Sequence, residues 1–340
     1  TLLAVDGSHV QIPSNIHDEA TYFNSTKDGR GYNLLHLNAL YDLESQLYLD
    51  AVIQDGREEH ESRALVELVD RSELTEPVIL IADRGYEAYN NMAHIEQKGW
   101  KYLIRVKDKQ GILSGLRLPD ALEFDAVFSY SLSKRLTNRI RQEPQKYRWI
   151  PSKVHFDYIK DASDALYPIS FRVVRFAVKE GLYETVITNL PADWFPPPLL
   201  RELYHKRWGI ETSFRDLKYT LALTHFHAKK RSFIKQEIFS RMTLYNFACT
   251  GVPAWLCSCD QSGAFDCKIP ASCSAWPTKT EEYAREASGQ FSVPDDLRLF
   301  HIRFSRRKLR AFVMPVFLMY VFTKPPPRFS PGGGCIGVVI

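Results

Sequence analysis

The chain has 340 residues, of which 45% are hydrophobic and 25% charged, with a formal net charge of +4. This length accommodates one large domain with an insertion, or two domains, and the composition is that of an ordinary globular protein. No apolar run approaches the roughly 18 residues that a membrane-spanning helix needs. Such a helix is therefore excluded and a cytoplasmic location is the expectation.

Residues 1–13 read as a strand, with Leu2, Leu3, Ala4 and Val5 running into Asp6, then Val10 and Ile12 alternating. The chain opens at Thr1 without a methionine or a basic leader, so we expect natural residues before it. Residues 32–53 alternate as two strands joined by a polar turn near 42–45, an antiparallel hairpin. A charged helix is predicted over 58–70. Pro77 then opens a wholly apolar run, 78–82, which suits a strand buried on both faces and ends at Asp83. A helix over 86–98, closed by Gly99, and a strand over 102–106 follow. Antiparallel strands first and βαβ units afterwards predict an α/β fold, a mixed sheet with flanking helices, in the order found in RNase H-like folds.

From 107 to 181 short β-like runs alternate with turn-rich stretches, which predicts a mainly β insertion between a first core segment (1–106) and a second (182–250). Residues 183–190 return to a clear strand, and prolines at 191 and 196–198 precede one long helix beginning near Leu199. His225 and His227 suggest a metal pair, but on a helix that spacing aims the rings apart, and a basic, nucleic-acid-facing segment is the better reading. The tail, 251–340, carries five of the six cysteines, a triple proline and a triple glycine without helical period, and is expected to be irregular. Its cysteine intervals contain no CxxC pair and do not suit zinc.

Two stretches concentrate positive charge. Residues 134–148 carry Lys134, Arg135, Arg139, Arg141, Lys146 and Arg148 against Glu143, and 206–235 carry eight Lys or Arg against Glu211 and Asp216. Such stretches either build a surface for a polyanion or form a solvated basic face.

Three acids stand out. Asp6 and Asp83 follow apolar strand runs, where a charge is costly unless it emerges at a sheet edge or meets a counter-ion. The plainer alternative is an Asp that starts a loop and caps the next turn. Glu211 lies in LLRELYHKRWGIETSFRDLKYTL, where Tyr204, Arg207, Glu211 and Lys218 fall within about 60° of one another on a helix of 3.6 residues per turn. A surface helix with an Arg–Glu pair four residues apart explains part of that pattern equally well.

The spacing Y-x2-R-x3-E-x6-K is that of the YREK signature, and with AspGlySer at 6–8 and AspArgGlyTyr at 83–86 the chain resembles the insertion-sequence-4 family of DDE transposases over about residues 1–247. The resemblance implies an RNase H-like fold with a β-rich insertion between the second Asp and the Glu. It implies Asp6, Asp83 and Glu211 as a catalytic triad holding Mg²⁺ or Mn²⁺, two ions in all. It further implies Tyr204, Arg207 and Lys218 as contacts to transposon-end DNA, target DNA as a partner, and a homodimer in the synaptic complex of a bacterial element. The family's usual DNA-binding region before the first Asp does not precede Asp6, and after 247 the likeness fades, which suggests a frame-shifted or decayed tail. An inactive DNA-binding remnant and an RNase H-like nuclease without strand transfer are the competing readings.

Overall fold

The computed structural model describes residues 1–24, 31–108, 110–161 and 163–250. The tail after 250, with five of the cysteines and the expected irregularity, lies outside the described residues. Two compact units divide the chain, Thr1–Lys218 and Tyr219–Ile340.

The first unit is built on one mixed sheet. Strand β1 (Leu2–Ile12) pairs antiparallel with β3 (Tyr32–Asp42), which also pairs with β2 (Tyr22–Phe23) and β4 (Leu47–Asp55). On its other edge β1 pairs parallel with β5 (Ile79–Ala82), and β5 pairs parallel with β6 (Lys101–Arg105). These three central strands are covered on both faces, which is why 78–82 is apolar without alternation.

Helix α1 (Glu61–Arg71) begins where the His60 ring accepts the Arg63 N–H, with Glu61 in its first turn and Arg71 in its last, as the helix dipole favours. It buries Ala64, Leu65, Leu68 and Val69, one face at helical spacing. Helix α2 (Tyr89–Gln97) is followed by Gly99 at φ +79°, a left-handed position glycine takes without steric cost. These two helices pack with Leu3, Val5, Leu80, Ala82, Tyr102 and Ile104 on one face of the sheet.

The strands of 107–181 do not form a separate sheet. They are β7 (Phe124–Ser133), β8 (Tyr147–Trp149) and β9 (Leu166–Lys179), with the short helix α3 (Asn138–Gln142) between β7 and β8. Through β10 (Leu182–Thr188) they continue the core sheet in the order β6-β10-β9-β7-β8. The basic stretch 134–148 divides: Lys134 and Arg148 are used internally, while Arg135, Arg139, Arg141 and Lys146 are exposed. Lys134 is buried, donates to the Val154 carbonyl and pairs with Asp161 at 3.2 Å. Arg135 holds Asp164 at 2.8 Å, and Arg148 donates to the Ile112 carbonyl at 3.1 Å.

Helix α4 (Pro197–His205) starts with prolines at its first turn, where a missing N–H costs nothing. It packs Leu200 and Tyr204 on the opposite face, against Leu2, Ile81, Leu103, Val174 and Val186. The single long helix expected from Leu199 is broken. Arg207 and Ile210 donate to carbonyls three residues back, a tightened turn, before α5 (Trp208–Arg215). A π turn, Asp216–Thr220, then widens the spiral.

The described part of the second unit is an irregular stretch and helix α6 (Arg231–Cys249). His225 and His227 are in the irregular stretch, so the helical argument about their rings does not apply. There buried Glu237 accepts the backbone N–H groups of His227 and Ala228. Among the described residues no helix is long and apolar enough to cross a membrane.

Candidate active site

The sheet register places the first two acids. Ala4 pairs with Ile81 and Val5 with Ala82 on parallel neighbours. One residue further on each strand are Asp6 and Asp83, side by side and, by alternation, on the face of Leu2 and Ile81 that α4 covers. Asp83 precedes a 3-10 turn, Arg84–Tyr86, yet its carboxylate makes no capping hydrogen bond to it. The loop-cap explanation for this acid therefore fails, and its oxygens face the α4 side.

From that side the broken helix delivers three further groups. The Tyr204 hydroxyl donates to Asp83 Oδ1 at 3.3 Å. Arg207 Nη1 donates to Asp6 Oδ2 at 3.3 Å, and its Nη2 donates to Glu211 Oε1. Arg207 is only 4% exposed, and its guanidinium carbon lies 5.7 Å from the Tyr204 ring centre and 5.8 Å from that of Trp208. Asp6, Asp83 and Glu211 thus belong to one network, joined through Tyr204 and Arg207.

Lys218 does not join it. The wheel that put four residues on one edge assumed 3.6 residues per turn throughout, and the tightened turn and the π turn both depart from that. Lys218 is half buried, makes no hydrogen bond or ion pair among the described residues, and acts electrostatically on His36 instead. Burial pushes its pKa below the usual lysine value.

Arg105 is a site residue that the sequence alone did not single out. Its Nη1 lies 3.9 Å from Asp83 and 3.4 Å from Glu184 of β10. The signal was available: Arg105, like Asp83, is a charge directly after a buried apolar strand run. Arg84, Arg105, Lys107 and Gln110 line an open cleft at this end of the sheet.

The electrostatics are those of an under-compensated acid cluster. Burial raises the Asp6 carboxyl to about 6, against the lowering by Arg207 and by the Gly7 N–H, and the Glu211 and Asp83 carboxylates add to the rise. Burial opposes the charge on Arg207, but Tyr204, Asp6 and Glu211 outweigh it and hold its pKa above the ordinary value. Burial also raises the Tyr204 phenol, so its proton stays on oxygen and is available to donate. Tyr204→Phe should cost about 1 kcal/mol in urea unfolding, the worth of one hydrogen bond to a carboxylate at this length. An unchanged midpoint would mean that Asp83 does not depend on that hydroxyl.

Residues 1–247 match the family described as the transposase DDE domain. The chain belongs to that family. A solved structure of the piggyBac transposase synaptic complex with hairpin DNA is similar over 98% of this chain, at 8% identity and a TM-score of 0.45. The chain spans 59% of the length of that protein. No curated protein matches it. This DDE domain presents two aspartates on adjacent parallel strands and a helical glutamate that an arginine joins to the first of them.

Proposed function

We propose that this DDE domain is the catalytic part of an insertion-sequence-4-type DNA transposase, with an RNase H-like core that residues 107–181 interrupt. In this reading it cuts phosphodiester bonds at the element's ends and joins them to target DNA, as a dimer on paired ends. The observation that carries the reading is the single network of Asp6, Asp83, Tyr204, Arg207 and Glu211 on one face of the sheet.

Asp6, Asp83 and Glu211 form an all-oxygen donor set that fits Mg²⁺ or Mn²⁺, and the raised Asp6 carboxyl is that of a site short of positive charge. Two such ions, when bound, activate the attacking oxygen and stabilise the leaving one. Arg207 keeps Asp6 and Glu211 facing each other, and Tyr204 restrains Asp83. Either side chain reaches a DNA phosphate only by exchanging its present carboxylate partner. Lys218, unpaired among the described residues, has its three donors available for a phosphate. Arg84, Arg105 and Lys107 line the neighbouring cleft together with Asp108 and Glu184, so among the described residues Arg84 and Lys107 are the cations there without an ion pair, left for a DNA backbone.

The test is incubation of the protein with labelled DNA carrying the element's ends, with Mg²⁺ or with chelator. Metal-dependent cleavage followed by joining is the expected result. Cleavage without joining would instead mark a nuclease, and binding without cleavage an inactive remnant.

A further inference from the structure

The face of the sheet opposite the carboxylates carries a second constellation that the transposase chemistry does not use. His9 on β1, His36 on β3 and Glu59, just before α1, offer three ligand atoms that all lie within 4.8 Å of one another. His9 Nε2 is 2.7 Å from Glu59 Oε2, and His36 Nε2 is 3.6 Å from Glu59 Oε1. The two imidazoles therefore address one carboxylate from neighbouring strands, with ring centres 4.9 Å apart. The register makes this unavoidable, since His9 pairs directly with His36.

We propose that His9, His36 and Glu59 bind a transition-metal ion of the zinc class, separate from the Mg²⁺ chemistry of the carboxylate triad. Two imidazoles and one carboxylate are the donor set zinc prefers and Mg²⁺ does not. A tetrahedral site with bonds near 2.0–2.1 Å separates its ligand atoms by roughly 3.4 Å, against at most 4.8 Å at present. His9 is 53% exposed and Glu59 32%, so the fourth position falls to water.

Two details of the surroundings support a built site. A Cβ at position 7 would stand 2.6 Å from the His36 ring, so Gly7 is what lets that imidazole lie against β1. His36 is 2% exposed, and its Nδ1 lies 3.2 Å from the Asn38 amide. The Asn38 Oδ1 beside it is buried without a partner. Turned by 180°, that amide exchanges its 3.3 Å bond to Gln54 for an acceptor at His36 Nδ1. The ring is then the tautomer whose Nε2 lone pair is free for a metal, the arrangement usual behind ligating histidines. The ion would clamp β1, β3 and the segment entering α1.

Co²⁺ is the probe, because its visible spectrum reports tetrahedral nitrogen–oxygen ligation. The full chain, freed of metal by chelation, is titrated with Co²⁺ and then with Zn²⁺. One equivalent of tetrahedral-type absorption is expected, abolished by Zn²⁺ and untouched by a large excess of Mg²⁺. His9→Ala, at an exposed position that does not endanger folding, should weaken Co²⁺ binding at least tenfold. Asp83→Asn should leave it unchanged. Zn²⁺ should also raise the melting temperature of the wild type and not of His9→Ala. No stoichiometric absorption, or absorption that survives His9→Ala, overturns the proposal, as does loss of the signal in Asp83→Asn.

Discussion

Asp6→Asn should make the metal-free protein more stable at pH 8 while removing DNA cleavage. The Asp6 carboxyl stands at about 6 in the folded chain against 3.8 in a free one. The fold therefore binds this proton more tightly than the unfolded chain does. Below pH 3.8 both states are protonated and nothing is lost. As pH rises through the window up to about 6 the unfolded state gains relative stability, and above it the cost is complete. A rise of that size is worth about 3 kcal/mol, and an asparagine does not incur it. Thermal unfolding at pH 8 and pH 4 checks the claim: the variant's advantage should be several degrees at the higher pH and shrink at the lower. Mg²⁺ should raise the melting temperature of the wild type and do little for the variant. Cleavage should fall by about a thousandfold, because losing a carboxylate ligand forfeits several kcal/mol of metal-borne transition-state stabilisation. A variant less stable than wild type at pH 8 would show that burial is not what raises Asp6.

Arg207→Met should have the larger and opposite effect on stability. The side chain is buried, and its two terminal nitrogens serve Asp6 and Glu211. Removing it leaves a cluster of carboxylates, one of them largely buried, without its central cation. Breaking one partner of such a pair costs about 3–5 kcal/mol, more than the pair itself contributes. Arg207→Lys keeps the charge but presents a single nitrogen where the guanidinium spans two acids, so it should restore only part of the loss. The double variant Arg207→Met, Glu211→Gln should be more stable than the sum of the two single changes predicts, because the second substitution removes a charge the first left unpaired. Denaturant midpoints of the four proteins decide this. Additive single changes, or a wild-type midpoint for Arg207→Met, would mean that Arg207 does not hold the acids together.

What the sequence disclosed about this site follows from what is local. The apolar run at 78–82 announced a central strand, and the charge that ends it marked Asp83. The alternation over 32–53 described β3 and β4 closely. The adjacency of Asp6 and Asp83 is a matter of parallel register between distant segments, and spacing along the chain carries no trace of it. The helix was legible as apolar stripe and charge pattern, but its interruption was not. Lys206 and Arg207 are ordinary helix formers, Gly209 is the one weak mark within the tightened turn, and the π turn has no proline or glycine. Lys218 is consequently expected with its three partners, yet among the described residues it makes no hydrogen bond or ion pair with them. In the basic stretch at 134–148, charge counts do not reveal that Asp161 and Asp164, farther along, pair with Lys134 and Arg135. His9, His36 and Glu59 are not legible as a group in the sequence, because the two histidines come from different strands.

The pairing of β1 with β5 also joins segments that lie far apart along the chain. Neighbours that meet only after a long stretch of intervening chain has been laid down form late, since closing so wide a loop costs entropy before any contact rewards it. A polypeptide in which that pairing has not formed therefore has its two aspartates apart. The adjacency of the two carboxylates, on which the proposed chemistry rests, is therefore made with the β1–β5 pairing and lost when that pairing opens.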